Sequence, residues 1–273
     1  MTTIRLSKTT DSRLDLFTQL TNHQLRSSLE LERGMLVAES EIAIRTALAC
    51  GVQPIAFLLD ERKLQAMGDV LGQVPDEVPV FVLPPEEAER LTGYRVTRGA
   101  LCAMQRPSLP SMDELVRAAR RMVVVEGVTD TSNVGAIFRN AAALGADAVV
   151  VAPNCADPLA RRAVRVSMGN VFRVPWCRAE GRWPHGLVDA LRANGFCCLS
   201  LALTSDALNL DDARLRGLDR TALFFGTEGT GLSRAVLNAC DHAVVIPMSH
   251  GVDSLNVAAS SAVALWELFR RAR

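Results

Sequence analysis

Residues 246 to 262 read I-P-M-S-H-G-V-D-S-L-N-V-A-A-S-S-A. The stretch joins an apolar run, Ala243 to Met248, to a segment whose apolar residues recur at helical spacing: Leu255, Ala258, Ala259, Ala262, Leu265, Trp266 and Phe269. A strand therefore feeds a helix through a short polar loop. Immediately upstream the plan repeats. Thr221 to Phe225 is a buried-strand run, G-T-E-G-T-G (226–231) a glycine-rich loop, and Leu232 to Ala239 a short helix. Two such loops close in sequence can wall one pocket, because glycine lets backbone approach a ligand while apolar strand ends pack on a flat aromatic group.

The alternation continues back to Met122. Strands are expected at Met122 to Val125, Ala148 to Ala152, Val171 to Pro175, Phe196 to Leu201, Leu223 to Phe225 and Ala243 to Ile246. Helices are expected to begin near Asn133, Pro158, Pro184, Leu232 and Leu255, with Asp157 and Pro158 supplying a capping acceptor and a first-turn proline. Strand-helix repetition of this kind specifies an α/β fold with a mostly parallel sheet and helices on both faces.

Arg106-Pro107-Ser108-Leu109-Pro110-Ser111, with two prolines in four residues, reads as the linker. Residues 1–106 then form a first domain, 107–112 the linker and 113–273 a second domain. In the first, residues 1 to 10 read as a poorly ordered end and Asp11 to Glu32 as an amphipathic helix. Short apolar and helical runs then alternate from Met35 to Gln105, with Asp60 and Pro84 as helix starts, which implies a small α/β layer domain.

The 273 residues carry no net charge, and 22% are charged, as in a soluble globular chain. That balance excludes a histone-like attraction of the whole molecule to nucleic acid but leaves room for a basic face. Nearly all the positive charge is arginine, with only Lys8 and Lys63 as exceptions. Arginine suits planar contact with phosphate, and a compositional bias toward arginine explains the usage equally well. No apolar run is long enough to span a membrane, and the N-terminus lacks a secretory core, so a cytoplasmic protein is expected. Seven scattered cysteines without paired spacing read as reduced structural thiols, and no metal site is expected.

The residue types narrow the ligand. F-F-G-T-E-G-T-G-L-S (224–233) followed by I-P-M-x-x-G-x-x-S-L-N-V-A-A (246–259) resembles the second and third motifs of SpoU-type (TrmH-like) RNA ribose 2'-O-methyltransferases, of the SPOUT superfamily. E-G-V-T-D-T-S-N-V-G-A-I-F-R-N (126–140) resembles the first motif. S-x-G-x-x-F-x-x-P at Ser167, Gly169, Phe172 and Pro175 resembles a further feature of that family. G-M-L-V-A-E-S-E-I-A-I-R-T-A-L (34–48) resembles, more loosely, the ribosomal-protein-like RNA-binding domain that often precedes it, with Ser40 where a glycine is usual.

This resemblance implies a catalytic domain with a C-terminal trefoil knot, a homodimer, and S-adenosylmethionine as cofactor. It implies a cofactor site at Gly226, Thr227, Gly231, Ile246, Met248 and Leu255; a structural role for Ile246 and Leu255 as core residues is compatible with it. Arg139 is implied as the catalytic group. A guanidinium is a poor general base, so stabilising a developing alkoxide and orienting phosphate suit it better. Asn133 has two roles open, capping its helix or binding substrate across a dimer interface. Glu228 can bond the amides of its own loop or meet a partner subunit, and Asn256 can fix loop geometry beside the cofactor, with Ser254 capping the last helix. Arg161, Arg162 and Arg165, with Arg95 and Arg98 in the first domain, are candidates for RNA phosphate. A non-catalytic RNA-binding protein that kept the fold is the alternative. A dinucleotide-binding enzyme is disfavoured, because Val125 leads into E-G-V-T-D-T-S-N and not a G-x-G-x-x-G loop.

Overall fold

The computed structural model describes residues 2–21, 30–96, 99–226, 229 and 231–269. In chain order its principal elements begin with β1 (Thr2–Arg5), β2 (Met35–Glu39), α1 (Glu41–Ala49), β3 (Pro54–Leu59), α2 (Glu61–Ala66), α3 (Gly68–Leu71), β4 (Pro79–Val82), α4 (Pro85–Thr92) and β5 (Ala100–Gln105). There follow α5 (Met112–Ala118), β6 (Arg121–Val125), α6 (Thr131–Leu144), β7 (Ala148–Val151), α7 (Arg161–Val166), β8 (Trp176–Arg178) and α8 (His185–Ala193). The last are β9 (Cys197–Leu201), β10 (Leu208–Asn209), β11 (Thr221–Phe225), α9 (Arg234–Ala239), β12 (His242–Val245) and α10 (Val257–Phe269). These make two compact units, Met1–Pro107 with Leu159–Phe172, and Ser108–Pro158 with Arg173–Arg273.

The first unit is built on a five-stranded sheet in the order β1-β4-β3-β5-β2. Strands β1, β4 and β3 are parallel, and β5 runs antiparallel to both β3 and β2. Ser40 and Asp60 cap α1 and α2 by accepting the amides of Ala43 and Lys63. The start of the chain differs from expectation: Thr2–Arg5 is ordered as a strand because it pairs residue for residue with Pro79–Val82. The expected first helix is a 3-10 turn over Ser12–Phe17. It ends at Thr18, after which the amides of Gln19 and Leu20 bond to the carbonyls of Leu91 and Thr92. Asn22 to Leu29 of that helix lie outside the described residues.

Segment 159–172 joins this unit through α7, which packs along β2. The loop after α7 comes so close to α1 that a Cβ on Gly169 would stand 2.7 Å from Cβ of Thr46. Gly169, at φ +79°, therefore has both a conformational and a spatial reason to be glycine. The helix begins three residues later than Asp157-Pro158 suggests, with Ala160 at its N-cap and no side-chain cap.

The second unit holds a seven-stranded sheet, β10-β12-β9-β11-β6-β7-β8, parallel throughout. Its central strands are buried on both faces, which is why they read as unbroken apolar runs such as Met122-Val123-Val124-Val125. The strand expected at Val171 to Pro175 lies at Trp176–Arg178 instead, in register with Val149–Val151. Residues Asn170–Phe172 form a 3-10 turn, and Pro175 stands just ahead of the edge strand, its carbonyl accepting the amide of Val149. At the opposite edge the two-residue strand β10 adds to β12. Arg220 closes two helix ends at once: its guanidinium lies 4.4 Å over the Phe196 ring and donates to the carbonyls of Val116 and Asn194, at the C-terminal ends of α5 and α8.

Candidate active site

A cleft of about 380 Å³ opens at the C-terminal end of this parallel sheet. The ends of β9 (Leu201 to Thr204), β11 (Phe225, Gly226) and β12 (Val244, Val245, Ile246) form its walls, together with Gly231, Leu232, Met248 and Leu255. Gly226, Gly231, Ile246, Met248 and Leu255, predicted separately from two loops, thus line one cavity. Thr227 and Glu228 lie outside the described residues. Leu201, Leu203 and Thr204 were missed by the sequence reading, since nothing in L-A-L-T distinguishes a pocket wall from an ordinary strand end.

Gly226 is the tightest point. A Cβ there would lie 2.4 Å from the backbone nitrogen of Leu232, so the first residue of the glycine-rich loop and the residue that follows the loop meet backbone to backbone. No other residue type leaves that contact intact. Across the cleft, the Thr204 hydroxyl is buried without a hydrogen-bond partner among the described residues.

The first motif reaches the site through its helix, α6, which packs on α10. Asn140 donates from Nδ2 to the Ala258 carbonyl at 2.8 Å and to Oγ of Ser261 at 2.9 Å. Near the other end of α6, Asn133 accepts from Nδ2 of Asn256 at 3.2 Å. Asn256 also caps α10, its Oδ1 accepting the amide of Ala258 at 3.0 Å. The cap is therefore Asn256 and not Ser254, and the cap of α6 is Asp130, which accepts from Ser132. Small side chains at Ala258 and Ser261 permit the close α6–α10 approach. The buried stripe of α10 is Val257, Ser260, Ser261, Ala264, Leu265 and Phe269; Trp266 and Leu255, expected inside, are 51% and 40% exposed.

Arg139 stands exposed on α6 and makes no hydrogen bond or ion pair with the described residues. It is not among the residues lining the cleft. Of the arginines proposed for RNA, Arg95 is exposed and lines a separate cleft of about 690 Å³ in the first unit, and Arg98 lies outside the described residues. Arg161 and Arg165 both pair with Glu39, which is 1% exposed, and the Arg161 guanidinium lies 4.4 Å over the Tyr94 ring. Their charge is engaged inside the first unit, whereas Arg162 is exposed and has no such partner among the described residues. The cysteines behave as structural thiols: burial pushes Cys177 up to about 11 and Cys240 up to about 12. Among the described residues no cluster of His, Cys, Asp and Glu is placed to hold a metal, and no helix is long and apolar enough to cross a membrane.

A wider cleft, about 530 Å³, lies at the opposite end of the same sheet, beside Arg121 and Thr221. It gathers none of the three motifs, and its charges include the ion pair of Arg120 with Asp219.

Comparison with known proteins agrees with this geometry. An uncharacterized tRNA/rRNA methyltransferase of Mycobacterium bovis is 40% identical over 261 residues, which is 95% of this chain and 89% of that protein. The crystal structure of an AdoMet-bound rRNA methyltransferase from Sinorhizobium meliloti is similar in fold, with TM-score 0.80 and 20% identity over 98% of each chain. A crystal structure described as an RNA 2'-O ribose methyltransferase aligns with TM-score 0.77 and 25% identity, covering 98% of this chain and 99% of that one. The SpoU rRNA Methylase family matches residues 120–266, which hold the cleft, both loops and α6. On the strength of that match and of the mycobacterial relative, the chain belongs to the SpoU rRNA methylase family.

Proposed function

We propose that the protein transfers a methyl group from S-adenosylmethionine to a ribose 2'-hydroxyl of ribosomal or transfer RNA. The observation that carries this reading is the convergence of the second and third motifs on one cleft, with the Asn133–Asn256 bond tying the first motif's helix to the third. Membership of an RNA methylase family and the likeness to a 2'-O ribose methyltransferase structure support the reaction class.

The cleft suits the cofactor on two observations. Leu201, Leu203, Phe225, Ile246 and Leu255 offer apolar surface for a flat base beside the cradle at Gly226. The unpartnered Thr204 hydroxyl supplies a polar atom that a bound ligand can satisfy. S-adenosylmethionine brings an electrophilic methyl group on a sulfonium, so no metal is needed. The protein's task is to align hydroxyl and methyl donor and to stabilise the charge that develops as the hydroxyl loses its proton. Arg139, unpaired among the described residues, takes that role; Asn133 and Asn256 hold α6 to the third loop.

The last segment passes as a knot beneath the preceding chain, its small residues allowing the approach. Two copies associate through the face of α10 that carries Val263 and Trp266, 41% and 51% exposed. The first unit selects the RNA, with Arg95 and Arg162 as phosphate contacts, and the enzyme works in the cytoplasm. These are consequences of the family likeness and the exposed surfaces.

The test is transfer of labelled methyl from S-adenosylmethionine to ribosomal and transfer RNA fractions from cells lacking the protein. Label that survives alkali in a dinucleotide, and falls about 100-fold or more with Arg139→Ala, is the expected result, a loss typical of removing one transition-state charge donor. Cofactor binding with no transfer to either fraction, naked or ribosome-bound, would leave a non-catalytic RNA-binding protein.

A further inference from the structure

Glu126, the residue that follows β6, is 5% exposed. Its carboxylate accepts three hydrogen bonds: from the Ser233 amide at 2.8 Å, from the Ser233 hydroxyl at 2.9 Å, and from Nε1 of Trp183 at 2.7 Å. Its backbone amide donates to the carbonyl of Phe225 at 2.9 Å. Phe225 is the last residue before the glycine-rich loop and Ser233 the second after it. One residue therefore grips both ends of the loop, at the point where Gly226 and Leu232 touch.

We infer that Glu126 is a positioning residue for the cofactor cleft, holding the entry and exit of the glycine-rich loop at a fixed separation. Phe225, Gly226 and Leu232 all line the cleft, so the width of its floor follows from this staple. A carboxylate suits the task because it is acceptor-only: all three groups that meet it are donors. Being buried, it has no water to replace a lost partner, and its bonds are of the stronger, charge-assisted kind. The Trp183 bond serves a different purpose, since it fixes the connection from β8 to α8, away from the loop ends. Ser233 is also the N-cap of α9, accepting the amide of Val236, so the loop's exit is held on a formed helix.

The inference rests on S-adenosylmethionine being the ligand of this cleft, and the experiment separates the two. Affinity for S-adenosylmethionine is measured by titration calorimetry on wild type, Glu126→Gln, Ser233→Ala and Trp183→Phe, with the melting temperature of each recorded. Glu126→Gln must turn an NH₂ donor toward one of the three donors, and about a tenfold or greater loss of affinity is expected. Ser233→Ala, which removes one surface-accessible hydroxyl and keeps the amide bond, gives about a threefold loss. Trp183→Phe lowers the melting temperature but keeps affinity within about twofold.

Wild-type affinity in Glu126→Gln, or an equal loss in Trp183→Phe, overturns the positioning role. Failure of Glu126→Gln to fold leaves the decision to Ser233→Ala against Trp183→Phe, whose order must be as stated. Failure of wild type to bind overturns the cofactor reading instead. The staple is then judged by amide exchange at Leu232 and Ser233, which rises in Ser233→Ala if it is right and stays unchanged if it is wrong.

Discussion

Asn256 donates from Nδ2 to Oδ1 of Asn133 at 3.2 Å while its own Oδ1 caps α10. One side chain thus starts the last helix and ties it to the first-motif helix. The two jobs use different atoms and can be separated. Asn256→Asp keeps the accepting oxygen and loses the donor; Asn256→Ala loses both. Asn256→Ala is expected to cost about 1 kcal/mol of stability, or about 2–4 °C in melting temperature. Asn256→Asp should melt like wild type yet lose methyl transfer, which calorimetry and a transfer assay on the same preparations will check.

Gly226→Ala is the sharpest test of the loop. Its methyl group would meet the Leu232 backbone at 2.4 Å, and backbone cannot rotate aside as a side chain can. We expect a stable but altered protein, losing about 1–3 kcal/mol of stability through overpacking. Binding of S-adenosylmethionine, followed by calorimetry, should fall by more than the stability loss explains, because the displaced strand end is the cleft wall.

Arg161 and Arg162 are neighbours with opposite predicted phenotypes. Removing Arg161 leaves buried Glu39 with Arg165 as its remaining partner, so Arg161→Ala should cost about 2–3 kcal/mol in chemical denaturation. Arg162→Ala, on the exposed side, should change stability by no more than about 0.5 kcal/mol. If Arg162 meets RNA phosphate, its loss instead lowers RNA affinity and flattens the salt dependence of binding, measured by filter retention at several ionic strengths.

The thiols give a pH-dependent prediction. Burial is the first cause of the raised values at Cys177, about 11, and Cys240, about 12. The thiolate is the reactive form, so a raised value means less reaction at a given pH. At pH 8 iodoacetamide should label exposed Cys50 first and leave Cys177 and Cys240 largely unmodified, as read by mass spectrometry. Rapid labelling of Cys240 would contradict the packing described.

Much of this was readable in the sequence, for definite reasons. Parallel strands buried on both faces announce themselves as apolar runs, and Asp60 and Pro84 mark helix starts, the first by side-chain capping and the second ahead of a first-turn proline. Two strand-loop-helix units that follow one another closely mark a shared pocket, and the family resemblance implies Gly226, Ile246 and Leu255 as its residues, all of which line the cleft. What escaped was whatever depends on partners distant in the chain. Glu126 lies 107 residues from Ser233, and a lone glutamate after a strand carries no spacing signal. Arg161 and Arg165 looked like a basic helix, and only folding sets Glu39 against them. The last strand before α8 was misplaced because Val171 to Pro175 is apolar enough for a strand, while Gly169 and Pro175 fix the chain otherwise.

The insertion of residues 159–172 into the first unit bears on the order in which this protein can be made. Strand β2 is an edge strand, yet all five of its residues are buried, and Glu39 at its end finds its arginines only on α7. A nascent chain that has emerged as far as Pro107 therefore still carries an uncovered β edge and a carboxylate without its counter-charges. Completion waits for about 65 more residues, roughly 3–13 s at ribosomal speeds of about 5–20 residues per second. During that interval the N-terminal half is open to edge pairing with other chains, so its yield in the cell should depend on translation rate and on chaperones that shield strands.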